Sequence, residues 1–270
     1  MIGKRIATLL SMLILGFKVG SAQIRFAYYD VDQLYDTEES LFYDDTRYTP
    51  QGQYRWDAER YRRKVEQVAA RIDSTRCEVV ALYGVENEQV VRDIASRLQG
   101  DYAYLHRTLN TLDGMDFALL YYADRCEPLG AEPMRSMLCI EARIDRDTFD
   151  IILGVDPRFV RLEAQELRKH HPSHRLLVAG KISSIAPERL GLVDRLAEPA
   201  RRGHGNRMVN GEWQLRDRIF TDTLAGRREG AVLIRREWLD PLDGAPTPTY
   251  ESGRYRGGAG RNLPIWCEIE

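Results

Sequence analysis

The chain has 270 residues, 43% hydrophobic and 30% charged, with 39 Lys and Arg against 41 Asp and Glu for a formal charge of −2. That is enough apolar material for one large domain or two small ones, and it excludes a disordered or collagen-like chain. The near-neutral balance supplies no overall positive field for nucleic acid or an anionic membrane, so any phosphate recognition has to be local.

The N-terminus reads as a signal peptide over residues 1–22. Lys4 and Arg5 precede an apolar run over 6–17, and Gly20-Ser21-Ala22 forms a small-residue cleavage site. The run falls short of the roughly 20 residues needed to cross a bilayer. Export is therefore expected, with the mature chain starting near Gln23, no membrane span in it, and periplasm, cell surface or medium left open as its destination. Export permits disulfides among Cys77, Cys126, Cys139 and Cys267, but their spacing fits no CxxC motif. Buried free thiols in strands are the alternative.

Beyond the leader, strands and helices alternate. Residues 24–29 predict a strand, and 56–73 an amphipathic helix with Tyr61, Val65, Val68, Ala69 and Ile72 on one face. A strand over 78–83, a helix over 88–98 and strands over 115–122, 137–144 and 149–155 follow. The last two strands form a hairpin-like pair around Asp145-Arg146-Asp147. Then come a helix over 159–170, strands over 175–179, 216–220 and 231–234, and a last strand over 264–269. There is no repeat and no Gly/Pro/Ser-rich seam. Hairpins mixed with βα units predict one α/β (α+β) domain over 23–270, with helices covering packed sheets.

Several segments in this order resemble the endonuclease/exonuclease/phosphatase superfamily, in particular a group of exported bacterial members. The family's N-V-E-N-L-F is answered by Asp30-Val31-Asp32-Gln33-Leu34-Tyr35, and its W-x-x-x-R-Y-x-x-K helix by Trp56, Arg60, Tyr61 and Lys64. L-x-E-V-E-N is answered by Leu82-Tyr83-Gly84-Val85-Glu86-Asn87, and R-G-I-D-V-A-L-L-Y by the segment from Asp113 to Tyr121. G-E-W-x-x-x-D-x-I is answered by Gly211, Glu212, Trp213, Asp217 and Ile219. T-Y-x-G-x-x-Y-x-G-G-x-S-D-H-L-P is answered by TYESGRYRGGAGRNLP from Thr249 to Pro264. The resemblance covers nearly the whole chain after residue 24. It implies a deoxyribonuclease-I-like sandwich of two mixed β-sheets flanked by helices.

The resemblance also implies a divalent metal, Mg or Mn, on carboxylate and amide oxygens, with a His and an Asp managing protons around an attacking water. Those groups are mostly replaced here. The first-strand Asn is Asp30, the metal-binding Glu is Gly84, and the Asn and His near Pro157 fall on Gly154 and Val155. G-D-F-N reads Gly180-Lys181-Ile182-Ser183, and S-D-H reads Gly260-Arg261-Asn262. Two cations standing where carboxylates flank a metal repel it by on the order of several kcal/mol each at an effective dielectric near 20. The expectation is a pseudoenzyme that needs no cofactor, its cleft taking a phosphate-containing or other anionic ligand on Lys181 and Arg261. The alternative is a metal-dependent phosphoric ester hydrolase with a rebuilt site from Asp30, Glu86, Asp116 and Asp156, using Mg or Mn.

Other groups have plainer readings. Glu86 also suits a cap or ion-pair role beside the following helix, and Asp116 and Asp217 stand equally well as hydrogen-bonded structural acids. His170, His171 and His174 resemble a metal cluster, but Pro172 breaks the helix that would align them. Arg60, Arg62 and Arg63 lie among acids and predict a solvated helix face. No Ser/His/Asp order, P-loop or GxGxxG supports another enzyme class.

Overall fold

The structure is a computed structural model that describes residues 23–222 and 230–269. The expected signal peptide, 1–22, lies outside the described residues. The elements in order are β1 (Ile24–Leu34), α1 (Ala58–Thr75), β2 (Val79–Val85), α2 (Glu88–Ala95), β3 (Tyr102–Arg107), β4 (Asp116–Tyr122), β5 (Cys126–Met134) and β6 (Met137–Ile144). They continue with β7 (Asp147–Gly154), α3 (Pro157–His170), β8 (Arg175–Gly180), β9 (Leu192–Asp194), α4 (Ala197–Arg201), β10 (Arg207–Val209) and β11 (Glu212–Gln214). The last are β12 (Arg218–Asp222), β13 (Ala231–Val232), β14 (Tyr250–Glu251), β15 (Arg254–Tyr255) and β16 (Ile265–Ile269).

Two six-stranded mixed sheets, ordered β13-β16-β1-β2-β4-β3 and β5-β6-β7-β8-β12-β9, pack face to face. The alternation along β1 shows how. Ile24, Phe26 and Tyr28 enter the core between the sheets, while Ala27, Tyr29 and Val31 join the core under α1 and α2. Phe149, Ile151 and Leu153 of β7 likewise face the other sheet, and Ile152 faces α3. Strands with both faces covered read as unbroken apolar runs, which is why the sequence predicts β1, β2 and β7. The layers are helix, sheet, sheet, helix, the sandwich the resemblance implied.

The differences from expectation lie at edges. β5 contains Pro128 and Pro133 and, among the described strands, pairs only with β6, the edge position that tolerates residues lacking an N–H. The short pairs β10/β11 and β14/β15 and the three-residue β9 are too brief for periodicity to reveal. The hairpin between β6 and β7 turns on Asp145 and Arg146, with Ile144 opposite Asp147. All four cysteines are free thiols; Cys77, Cys126 and Cys267 are buried, and burial raises the first two to about 12 and pushes Cys267 up as well. No described helix is long and apolar enough to cross a membrane.

Candidate functional site

The site lies where the inter-sheet core opens at the ends of β1, β7 and β8. Asp30 shares the inward face of β1 with Phe26 and Tyr28, and beyond it the strand bulges. Asp32 and Gln33 both take left-handed conformations, with φ of 55° and 59°, which non-glycine residues adopt only when their surroundings hold them. What holds them is α1. The buried Lys64 donates to the carbonyls of both residues at 2.8 Å, and burial pulls its ammonium down to about 8 against the opposing pull of Asp32 and Asp30. One α1 turn pair further along, Arg71 donates to Tyr29 Oη at 3.0 Å and to the Asn262 carbonyl at 2.9 Å.

The rest of the helix motif is anchoring too. Trp56 Nε1 donates to the Tyr35 carbonyl at 3.0 Å, Tyr61 Oη to Asp93 at 2.7 Å, and Arg60 to the Tyr54 carbonyl at 2.5 Å. Arg60 also lies over the Tyr255 ring. The C-terminal segment folds over β1 so closely that a Cβ on Gly260 would fall 2.7 Å from Asp32 Cβ. Its Arg261 N–H then donates to Asp32 Oδ2 at 3.0 Å.

A cavity of about 150 Å³ at this opening is lined by Asp30, Asp32, Gln33, Tyr83, Gly84, Asp113, Met115, Lys181 and Arg207. Both Asp30 oxygens are engaged. Oδ1 accepts the Asp32 N–H at 2.9 Å, and Oδ2 lies 2.8 Å from Lys181 Nζ. The Lys181 backbone is fixed by its N–H bond to the Gly154 carbonyl, 3.0 Å, and its ammonium lies over the Tyr83 ring. Burial alone would lower this ammonium, but Asp30 outweighs it and the net direction is up. Gly84, at φ +86°, presents only its backbone here, and a Cβ on it would meet Asp30 Oδ1 at 3.4 Å.

Asp217 is fully buried just before β12, beside this pair. Burial, and then the Asp30 charge, push its carboxyl up to about 7, with Lys181 pulling back. Oδ2 accepts from Asn206 Nδ2 at 2.5 Å. Oδ1 has no hydrogen-bond partner among the described residues, and neither has Tyr28 Oη. Asp32 is moved the other way: its burial is overcome by Lys64 and Arg261, so its carboxyl is held below the usual range.

The other expected site residues are placed elsewhere. Arg261 does not converge with Lys181. Its guanidinium pairs with Asp32 at 3.4 Å and donates to the Tyr250 carbonyl at 2.7 Å, and it is not among the residues lining the Asp30 cavity. The second cation there is Arg207, which donates to Asn262 Oδ1 at 3.3 Å. Asn262 itself reaches the Asp30 carbonyl. Gly154 packs against Val160, Val155 against the inter-sheet core, and Ser183 is exposed.

Of Asp30, Glu86, Asp116 and Asp156, only Asp30 lines the cavity. Glu86 accepts the Asp36 N–H at 2.6 Å and the Tyr43 hydroxyl at 3.0 Å, tying down the 36–45 loop, and burial raises it to about 8. Asn87, not Glu86, caps α2. Asp116 accepts from Leu109 N at 2.7 Å and meets His106 Nε2 at 3.0 Å. Asp156 caps α3 and pairs with Arg158, which holds it down at about 2. The residues present therefore do not fit a divalent ion in the cleft. Of the carboxylates that line it, Asp30 has both oxygens engaged with an ammonium on the outer one, Asp32 accepts from Arg261, and Asp113 accepts the Met115 N–H, while position 84 offers no side chain.

Nothing in the sequence marked Asn206 or Arg207, because no motif contains them. For Lys64 the available signal is a lysine at a buried position of an apolar helical stripe.

No curated protein has a matching sequence. Among solved structures, D. rerio TDP2 complexed with single strand DNA product superposes with a TM-score of 0.59 at 14% identity, covering 92% of this chain and 99% of that one. An endonuclease/exonuclease/phosphatase from Bacteroides vulgatus gives 0.59 at 10% identity, covering 92% and 98%. A Bacteroides thetaiotaomicron mannosyl-6-phosphatase gives 0.57 at 10%, covering 92% and 99%. At such identities the likeness speaks for the fold. The family model described as Endonuclease/Exonuclease/phosphatase family matches residues 25–191, more than half of the sequence, and with the two-sheet sandwich and its cleft it makes this chain a member of that family.

Proposed function

We propose that this is an exported, non-catalytic member of its family, whose cleft holds a built-in cation and recognises a phosphate-like anion. The observation that carries the reading is the Lys181–Asp30 pair at Gly84, 2.8 Å between charged atoms. A lysine ammonium on the first-strand carboxylate supplies positive charge where a metal otherwise sits, but it has no open coordination position and cannot lower the pKa of a bound water as a metal does. Among the described residues, no histidine lines the cavity to accept a proton. What remains suits binding: Lys181 Nζ, with a side chain 42% exposed, and the Arg207 guanidinium beside it can share an anion's oxygens through charge-assisted hydrogen bonds. The leader-like Lys4, Arg5, apolar run and Gly20-Ser21-Ala22 support export of one domain starting near Gln23.

The test is hydrolysis of bis(p-nitrophenyl) phosphate and plasmid DNA by the purified protein, with Mg²⁺ or Mn²⁺ and with chelator, alongside calorimetric titration with inorganic phosphate. The expected result is no turnover under either condition, and phosphate binding weakened about tenfold or more in Lys181→Ala. Metal-dependent turnover that disappears in Asp30→Ala would instead establish the phosphoric ester hydrolase.

A further inference from the structure

The second sheet carries another polar cluster, on its α3 face and away from the cleft. Asp150 lies in mid-β7 on the side of Ile152, which packs beneath α3. Its side chain is 6% exposed, and a carboxylate so buried needs partners. These are two imidazoles. His171 Nδ1 lies 3.1 Å from Oδ2 and 3.2 Å from Oδ1, and His174 Nδ1 lies 3.2 Å from Oδ1.

Pro172 arranges them. It ends α3, as the sequence predicts, but it does so as the second residue of a turn closed by the His174 N–H on the His171 carbonyl, 3.1 Å. The two histidines stand at the ends of that turn with ring centroids 4.6 Å apart. The proline that argued against alignment thus produces it for two of the three. His170 is left out, its Nδ1 meeting the Glu166 carbonyl.

We propose that Asp150, His171 and His174 form a zinc site that fastens the end of α3 and the start of β8 to the middle of β7. Three observations carry this. The donor atoms all lie within 4.8 Å of one another. Around a tetrahedral zinc with bonds of about 2.0–2.2 Å, neighbouring donors are separated by roughly 3.3 Å, and charge-assisted N–H···O⁻ bonds are shorter, about 2.7–2.9 Å. The 3.1–3.2 Å separations on Asp150, which are hydrogen-bond distances without an ion, also match the spacing of donors around one.

The donor set, two neutral imidazoles and one carboxylate, is one that zinc favours over magnesium or calcium. Glu141, the register partner of Asp150 on β6, adds negative charge to the same face. His171 and His174 side chains are 38% and 22% exposed, so an ion has an entry path and a fourth position open to water. The site is four residues, about 13 Å, along β7 from Gly154 at the cleft, and occupancy of one does not require the other.

The experiment titrates the metal-depleted full chain with ZnCl₂ against a chromophoric chelator. One equivalent should bind and raise the melting temperature. Binding should weaken at least tenfold in His174→Ala and Asp150→Asn and stay unchanged in His170→Ala. Co²⁺ in place of zinc should give the visible absorption of a tetrahedral centre, lost in His171→Ala. Because His171 is at the surface, that variant keeps its fold, checked by circular dichroism, even if Asp150→Asn does not. Absence of stoichiometric zinc binding, binding indifferent to His171 and His174, or binding lost on thiol alkylation alone would each overturn the proposal.

Discussion

Two aspartates, Asp30 and Asp150, are buried to nearly the same degree, 3% and 4% exposed, yet they are answered by different chemistry. Asp30 meets an ammonium, Lys181, and a backbone N–H; Asp150 meets two imidazoles. An ammonium at neutral pH offers no lone pair and is tethered in place, so the cleft's cation is permanent. An imidazole can give up its proton and turn the same nitrogen toward a metal. The contrast teaches that burial and a carboxylate do not define a metal site. The partner's capacity to become a ligand does.

The largest effect expected from breaking this contrast is on the cleft's framework. Lys64→Ala leaves the Asp32 and Gln33 carbonyls unpaired at two left-handed residues and opens space under β1. Unsatisfied buried groups and lost packing together cost about 3–4 kcal/mol. At roughly 2–4 °C per kcal/mol for a chain of this size, differential scanning calorimetry should show the melting temperature falling by about 10 °C. His171→Ala, without zinc, should shift it far less.

The pH dependence comes next and separates the cleft from the surface. Asp217 at about 7 and Glu86 at about 8 both have their carboxyls raised, chiefly by burial. A raised carboxyl binds its proton more tightly folded than unfolded, so its stabilisation is complete below the unfolded value near 4 and is lost as pH climbs through the folded value. The melting temperature should therefore fall by several degrees between pH 5 and pH 8.5, a window in which the depressed acids Asp32 and Asp156 stay ionised. Asp217→Asn, which keeps an oxygen for Asn206, should reduce that slope while Glu86 sustains the remainder; an unchanged slope would place the titration elsewhere.

How much of this was legible depended on which groups act through side-chain type and which through geometry. β1 and β7 were readable because burial on both faces leaves long apolar runs, whereas β5, with its two prolines, was not. At the site, the replacements at Gly84 and Lys181 could be read from the motifs, and Lys181 does meet Asp30. Arg207 and Asn206 sit on a short strand and the loop before it, where pairing with the C-terminal segment, not local pattern, decides position. Helical spacing misleads at the HHPSH run, because the turn that sets it has a different spacing.

Lys181→Ala removes the built-in cation itself. The nearly buried Asp30 is then left with one hydrogen bond, and since water reaches the place of the half-exposed lysine the cost should be about 1–2 kcal/mol, a few degrees by calorimetry. With the ammonium gone, and with His171→Ala in both proteins so that the Asp150 cluster does not respond, Mn²⁺ should raise the melting temperature of the variant measurably more than that of the parent. A parent that responds equally would show that Lys181 does not exclude the ion.

The smallest effect separates the two cations that the motifs placed together. The Arg261 side chain is 41% exposed, and its contact with Asp32 is 3.4 Å long. Exposed ion pairs contribute about 0–1 kcal/mol, and the backbone N–H of residue 261 still reaches Asp32 Oδ2 after truncation. Arg261→Ala should thus lower the melting temperature by no more than about 3 °C. It should also leave phosphate affinity in the Asp30 cavity unchanged, because that cavity is lined by Lys181 and Arg207 instead. Arg207→Ala should weaken phosphate several-fold in the same titration. If the order is reversed, and Arg261→Ala is the variant that loses the anion, the ligand sits beyond Asp32 on the Tyr250 side of the segment, and the motif alignment located the binding cation better than the cavity does.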